Sequence, residues 1–286
     1  MPDIIERFAP LARHYDVLLC DVWGVVHNGL AAFPEACDAL MKFRTERGPV
    51  ILITNAPRPC DAVQRILDRL GVPREAYDTI VSSGDVTRGV VESRLRDSVF
   101  HLGPPRDLPI FAGLNVMFAP VEAADYVVCS GLFDDTAETP EDYRGLLAAM
   151  RERSLFMVCA NPDIVVERGD ELVYCAGALA DAYAQRGGDV LYCGKPYAPI
   201  YQAALRRAAT FGGGELPTLK RVLAVGDSVR TDLKGAAAFG VDCLFVVSAL
   251  HAPEFGGRET PDAAALNATF AAAGVAPKGV ARKLVW

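Results

Sequence analysis

The 286-residue chain has eight cysteines but no Cys-x-x-Cys pair and no cysteine–histidine spacing of the kind that holds zinc. Cys20, Cys129, Cys159, Cys175, Cys193 and Cys243 stand singly in apolar stretches. That placement predicts buried free thiols in a reducing compartment, and therefore a cytoplasmic protein. Positive charge is not in excess, because 29 Lys and Arg face 36 Asp and Glu for a net charge of -7. General nucleic-acid binding needs a basic face, as does adhesion to anionic membranes, so neither is expected. No apolar run approaches the ~18 residues of a membrane span. The opening MPDIIERFAPLARHYD has early acids and no apolar stretch, so no signal peptide is expected. There is no internal repeat, no low-complexity tract and no Gly-x-Gly-x-x-Gly after the first apolar run, which excludes a Rossmann dinucleotide site.

The composition that remains, 51% hydrophobic and 23% charged, is that of an ordinary globular protein. At ~150 residues per domain the length predicts about two domains. Val17-Leu18-Leu19-Cys20-Asp21 is a short continuous apolar run that ends in a carboxylate. Such runs suit strands covered on both faces, as in parallel sheets. FPEACDALMKFRTERG follows as a helix with Pro34 in its first turn and Gly48 as its stop. Val50–Asn55 reads as a second buried strand, and Asp61 can cap a helix carrying Val63, Ile66, Leu67 and Leu70. The rhythm returns late in the chain. Val190–Cys193 and Arg221–Val225 read as strands separated by a helix near 199–210. Asp232 can cap a short Ala-rich helix ending at Gly240, and 242–247 is a further strand. The β-α-β-α alternation predicts an α/β fold with a doubly wound parallel-sheet core. Residues 86–190 differ in texture and read as a second α/β domain inserted into a core made of 1–85 and 191–286. The tail KGVARKLVW is expected to pack on that core.

In an open parallel sheet, ligands bind beyond the carboxyl ends of the strands. Here Asp21, Thr54-Asn55, Lys195 and Gly226-Asp227 with Asp232 fall at such ends. Clustered carboxylates repel one another and so imply a cation. Oxygen ligands without His or Cys point to Mg²⁺ rather than zinc.

Four stretches carry a family resemblance: Asp21-Val22-Trp23-Gly24-Val25, Ile53-Thr54-Asn55, Gly194-Lys195-Pro196, and Gly226-Asp227-Ser228-Val229-Arg230-Thr231-Asp232. In order and spacing they resemble the four motifs of the haloacid-dehalogenase (HAD) superfamily. About one extra domain lies between Thr54 and Lys195, which resembles the C2-capped, class IIA subgroup of nitrophenylphosphate, phosphoglycolate and pyridoxal-phosphate phosphatases. Cys159-Ala160-Asn161-Pro162-Asp163 and Ala176-Gly177-Ala178-Leu179 also resemble that subgroup's cap. The resemblance implies a HAD-like Rossmannoid core, a C2-type cap over residues 86–190, and a phosphatase of a small phosphorylated metabolite. It also admits a homodimer through the cap.

Carried over residue by residue, the resemblance makes Asp21 the nucleophile that forms an aspartyl-phosphate. Mg²⁺ would be held by Asp21, the backbone carbonyl of Trp23 and Asp227, with Asp232 supporting it. Thr54 and Asn55 would hold phosphoryl oxygens, and Lys195 would neutralise developing charge. Three carboxylates and a phosphate dianion otherwise repel one another, each close pair by about 4 kcal/mol at ~4 Å in an effective dielectric of ~20. Asn161, Asp163 and Arg58 are candidates for substrate contact. For each the plainer reading is a turn residue or a structural arginine. His27, just after the first motif, is a candidate for the mouth of the site.

The pattern breaks at Trp23. Phosphatases of the superfamily usually carry a second Asp there, which protonates the leaving oxygen and then activates water. Indole has one N–H and no titratable acid. General acid–base help is worth ~10²–10⁴-fold, so Trp23 predicts slow turnover or a preference for activated esters such as acyl and aryl phosphates. Two other readings stay open. One is a C–halogen hydrolase, a branch that also lacks the second Asp but needs no Mg²⁺, which Asp227 and Asp232 argue against. The other is a catalytically weak module that binds a phosphorylated metabolite.

Overall fold

The computed structural model describes residues 4–168, 171–247, 255–257 and 260–286. In chain order the strands are β1 (Ile4–Ile5), β2 (Val17–Asp21), β3 (Val50–Thr54), β4 (Thr79–Ser82), β5 (Ser98–Leu102), β6 (Met117–Phe118), β7 (Tyr126–Cys129), β8 (Phe156–Cys159), β9 (Val165–Arg168), β10 (Glu171–Tyr174), β11 (Val190–Tyr192), β12 (Val222–Gly226), β13 (Asp242–Val246) and β14 (Gly279–Ala281). The main helices are α1 (Ala9–Ala12), α2 (Pro34–Glu46), α3 (Cys60–Leu70), α4 (Ser83–Glu92), α5 (Arg144–Glu152), α6 (Ala176–Gln185), α7 (Ala198–Phe211), α8 (Lys234–Phe239) and α9 (Ala263–Ala273). The chain forms two compact units. One comprises Met1–Thr54, Asp61–Val81 and Lys195–Trp286; the other comprises Asn55–Cys60 and Ser82–Gly194.

The first unit is built on a seven-stranded sheet in the order β1-β14-β13-β12-β2-β3-β4. β2 pairs in parallel with β3 on one side and β12 on the other, and β12, β13 and β14 continue in parallel. The chain winds outward from β2 through β3 and β4, then returns to build β12, β13 and β14 on the opposite side. The strand order therefore reverses between β2 and β12, the kind of position where open α/β sheets bind ligands. Every residue of β2 and β12 is buried, which explains their unbroken apolar sequences. α2 begins at Pro34, whose missing N–H costs nothing in a first turn, and turns Ala36, Cys37, Leu40 and Phe43 inward. The C-terminal segment adds β14 to the sheet, and Trp286 meets Phe8 edge to face at 5.8 Å. The tail thus packs on the core as its sequence predicts.

The second unit has its own five-stranded sheet in the order β11-β8-β7-β5-β6, with all neighbouring pairs parallel, and a separate antiparallel pair of β9 with β10. Alternate residues of its strands feed opposite cores. Val127, Cys129, Met157 and Cys159 join Leu147, Met150 and Leu179 on one face. Tyr126, Val128 and Val158 join Val91, Ile110 and Phe111 on the other. α4 starts with a reciprocal cap in which the Ser82 hydroxyl accepts from the Asp85 N–H and the Asp85 carboxylate accepts from the Ser82 N–H. The eight cysteines are free thiols, and all but the half-buried Cys60 are buried, in keeping with their apolar sequence contexts. No helix among the described residues is long and apolar enough to cross a membrane.

His101 on β5 shares a hydrogen bond with the Ser130 hydroxyl at 2.9 Å and packs edge to face on Phe111. Burial lowers its pKa to about 4. The fold therefore favours the neutral ring. Its contribution is complete above about pH 6.5 and is lost as pH falls towards 4, by at most about 3 kcal/mol. Urea denaturation of wild type and His101→Gln at pH 7, 5.5 and 4 checks this. The stability gap between them should shift against wild type on acidification, and a gap independent of pH would contradict it.

Candidate active site

The site is assembled by register. Cys20 of β2 is level with Val225 of β12, and Asp21 is level with Ile53 of β3. Asp21 at the end of β2, Asp227 just past β12 and Thr54 at the end of β3 therefore arrive at one edge of the sheet. Asp21, Asp227 and Asp232 are buried, and each offers a carboxylate oxygen within 4.8 Å of the other two. Lys195, only 2% exposed, donates from Nζ to Asp21 at 2.5 Å and to Asp232 at 2.7 Å.

Two glycines permit this crowding. Gly24 has φ +79, and a Cβ there would run into the Asp227 carboxylate. At Gly226 a Cβ would run into the Asp232 side chain. The chain can turn back over the strand ends only because these two side chains are missing.

Asp232 differs from its sequence reading. It does not cap the helix that follows. The N-terminal cap is Ser228, whose hydroxyl accepts from the Thr231 N–H at 3.3 Å. Residues Val229–Leu233 form a single wide π-turn ahead of α8, and Asp232 lies inside it. From there its carboxylate accepts from the Ser228 N–H at 3.2 Å and from Lys195. The same site explains α7, which follows Lys195 closely and places the Tyr201 hydroxyl 3.5 Å from the Asp232 carbonyl it donates to.

Burial is the largest influence on Asp21, and the Asp232 and Asp227 carboxylates add to it, so its pKa stands well above the ordinary carboxylate value despite Lys195. For Lys195, burial alone would favour the neutral amine, but Asp21 and Asp232 outweigh it and hold the ammonium. Lys195 thus bonds two of the three buried carboxylates gathered here. All their donor atoms are hard oxygens, which suits Mg²⁺ better than a softer transition metal.

Trp23 lies on the loop after β2 and is exposed. His27, a candidate for the mouth of the site by sequence, is instead buried, with its ring edge-on to the Trp23 indole at 5.2 Å. Asn55, Asn161 and Asp163 come together within the second unit. The Asn55 amide donates to Asp163 at 3.0 Å, and the Asn161 side chain accepts from the Asp163 N–H at 3.1 Å. Arg58 lies elsewhere in that unit, with Nε 3.6 Å from the buried carboxylate of Asp107. Sequence reasoning missed Gly24, Ser228 and Asp107. Only the Gly24 position, a glycine three residues after a strand-end acid, left a local trace.

A parallel α/β sheet whose strand tips gather acids around one lysine defines a hydrolase-type catalytic core, and comparison with known proteins specifies which. Residues 18–116 match the haloacid dehalogenase-like hydrolase family, and residues 192–275 match a HAD-hydrolase-like family. A crystal structure of a hydrolase of the haloacid dehalogenase-like family from Brucella suis 1330 is 49% identical, covering 88% of this chain and 96% of that one with a TM-score of 0.81. A 4-nitrophenylphosphatase from Thermotoga maritima is similar in fold at 22% identity, covering 94% of this chain and 95% of that one with a TM-score of 0.69. The 5'-nucleotidase YutF of Bacillus subtilis (strain 168) is 24% identical over 236 residues, 82% of this chain and 88% of the relative. The chain belongs to the haloacid dehalogenase-like hydrolases and is an enzyme of that class.

Removing the ammonium should expose the charge imbalance. Lys195→Met is expected to lower unfolding free energy by ~3–5 kcal/mol at pH 7 in EDTA, because two buried carboxylates lose their partner. Urea denaturation measures it, and a loss under about 1 kcal/mol would show that the acids do not depend on Lys195.

Proposed function

We propose that the protein is a Mg²⁺-dependent phosphatase of a small phosphorylated metabolite, working through an aspartyl-phosphate on Asp21. The observation that carries this reading is the gathering of three buried carboxylates, each offering an oxygen within 4.8 Å of the others, around Asp21. Such a set of hard oxygen ligands suits a divalent cation, which a phosphate dianion entering beside them would need. Asp21 and Asp227 are the residues that would hold Mg²⁺, together with the Trp23 backbone. Asp232 would support them by fixing Lys195. When bound, the cation would neutralise phosphoryl charge so that an anionic nucleophile can approach.

The remaining work falls to the chain itself. An Asp21 carboxylate oxygen attacks phosphorus, the ester P–O bond breaks, and water later cleaves the acyl phosphate. Lys195, already bonded to Asp21, orients that carboxylate and offsets charge as it develops on the phosphoryl oxygens. The Thr54 hydroxyl stands at the adjacent strand end, where it can donate to the same oxygens, and Asn55 is the next residue. Within the second unit, the Asn55 amide donates to the Asp163 carboxylate and the Asp163 N–H donates to the Asn161 side chain. A C–halogen hydrolase has no dianion to bind and no use for this many acids.

Trp23 separates this enzyme from one with a full complement of acids and bases. With no carboxyl at that position, the leaving oxygen receives no proton from it, so esters that leave as stable anions should react best.

Phosphate release from acetyl phosphate, p-nitrophenyl phosphate and sugar phosphates, in Mg²⁺ and in EDTA, tests the reading. Turnover should need Mg²⁺ and vanish in Asp21→Asn. Release unaffected by either change would sink the proposal, as would no release from any ester. In the same assay Trp23→Asp should raise kcat on the sugar phosphates by about 10-fold or more. No gain there would mean that proton donation is not what limits those esters.

A further inference from the structure

His27 is a buried polar side chain that the proposed reaction leaves unused. It lies in the loop between β2 and α2 and is only 3% exposed. That loop reaches the acid cluster. Gly24 packs so closely on the Asp227 carboxylate that a Cβ there would run into it. The residue before it, Trp23, carries the backbone carbonyl assigned above to the cation. Between β2 and α2 the chain forms two isolated bridges, Trp23 with His27 and His27 with Ala32, and no helix or longer strand. The shape of the loop therefore rests on a few bonds.

His27 takes part in most of them. Its carbonyl accepts from the Gly24 N–H at 2.9 Å, and its own N–H donates to the Val22 carbonyl at 3.3 Å. Any residue could make those backbone bonds. The imidazole adds contacts that most residues could not. Its Nδ1 accepts from the Gly29 N–H at 2.9 Å, a closure from residue i to i+2 like that of an Asx turn. Its ring meets the Trp23 indole edge-on at 5.2 Å between centroids. The indole in turn rests against Gly29, whose φ is +86 and where a Cβ would run into the ring. Trp23, His27 and Gly29 thus close a circuit of contacts, and Gly24 lies within the span they close. We propose that His27 is a positioning residue for the cation site: its bond to Gly29 holds the loop in the shape that seats Gly24 against Asp227, and so sets the affinity for a divalent cation. This rests on the Mg²⁺-dependent reading and deepens it. Without the bond the loop spends part of its time away from Asp227, and the apparent affinity falls with the fraction that stays competent. Losing one hydrogen bond of ordinary strength corresponds to about 3- to 10-fold.

Mg²⁺ alone, titrated by calorimetry into the full chain, tests this. His27→Phe keeps a ring against Trp23 but loses the acceptor, and should bind Mg²⁺ about 3- to 10-fold more weakly than wild type. His27→Asn loses the ring but keeps an acceptor within reach of the Gly29 N–H, and should stay within about 2-fold of wild type. Phe43→Leu, a core change in α2, should lower stability to urea in EDTA and leave Mg²⁺ affinity unchanged. Coupling is reciprocal, so in the wild type saturating Mg²⁺ should slow hydrogen exchange at the Gly29 amide by about 3- to 10-fold. That measurement stands even if His27→Phe fails to fold. The positioning role is overturned, with the cation site left standing, by any of four results: wild-type affinity in His27→Phe, an equal loss in His27→Asn, an equal loss in Phe43→Leu, or Gly29 exchange indifferent to Mg²⁺. No Mg²⁺ binding by the wild type overturns the cation reading and the role of His27 together.

Discussion

Two buried carboxylates, Asp21 and Asp232, share the Lys195 ammonium with Asp227 close beside them, and much of the first unit is arranged to make that tolerable. Left in water, Asp21, Asp227 and Asp232 would avoid one another. Inside the protein they are held within 4.8 Å, out of reach of bulk screening. Lys195 is drawn in from the far side of the inserted segment to bridge two of them. Gly24 and Gly226 are bare because a methyl group at either would strike one of the acids. The wide turn at Val229–Leu233 lets Asp232 reach back to Lys195 while Ser228 takes over the capping of the helix. Such a cluster of buried carboxylates costs folding stability, and its oxygen atoms could hold a metal ion.

The second unit shows a different balance. Some of its polar groups are paired with each other, Asn55 with Asp163 and Asp163 with Asn161, and Arg58 lies near the Asp107 carboxylate. Such pairs limit the side chains to defined positions before any ligand arrives, which lowers the entropy lost on binding. Trp23 belongs to the first unit but departs from its logic, contributing aromatic surface where an ionisable group is usual.

Much of this was legible in the chain. Val17–Asp21 and Val222–Gly226 are unbroken apolar stretches because both faces of each strand are covered, and that cause leaves its mark locally. The acids at their ends, Asp21 and Asp227, could be read for the same reason. Asp232 was recognised but given the wrong local duty, since an acid near a helix start resembles a cap whether or not its side chain points elsewhere. His27 was a candidate for the mouth of the site, yet it is buried, and burial of a lone polar residue depends on what packs over it, here the Trp23 indole. Asp107 left no signal at all, because its significance lies in an arginine nearly fifty residues earlier.

The sequence alone determined the alternation of strands and helices, the order of the four motifs, the carboxylates available for a hard cation and the absence of an acid at position 23. The alternation and the carboxylates follow from periodicity and residue chemistry, which act between near neighbours in the chain, whereas the motifs and the gap at position 23 were read from a family resemblance. Tertiary structure decided which carboxylates share Lys195, in which direction Asp21 is driven from its ordinary ionisation, and that the half-exposed Trp23 indole packs on a buried His27. Those outcomes depend on burial and on distances between residues far apart in sequence. Both are set only when β2, β3 and β12 lie side by side and the loops beyond them close over their ends.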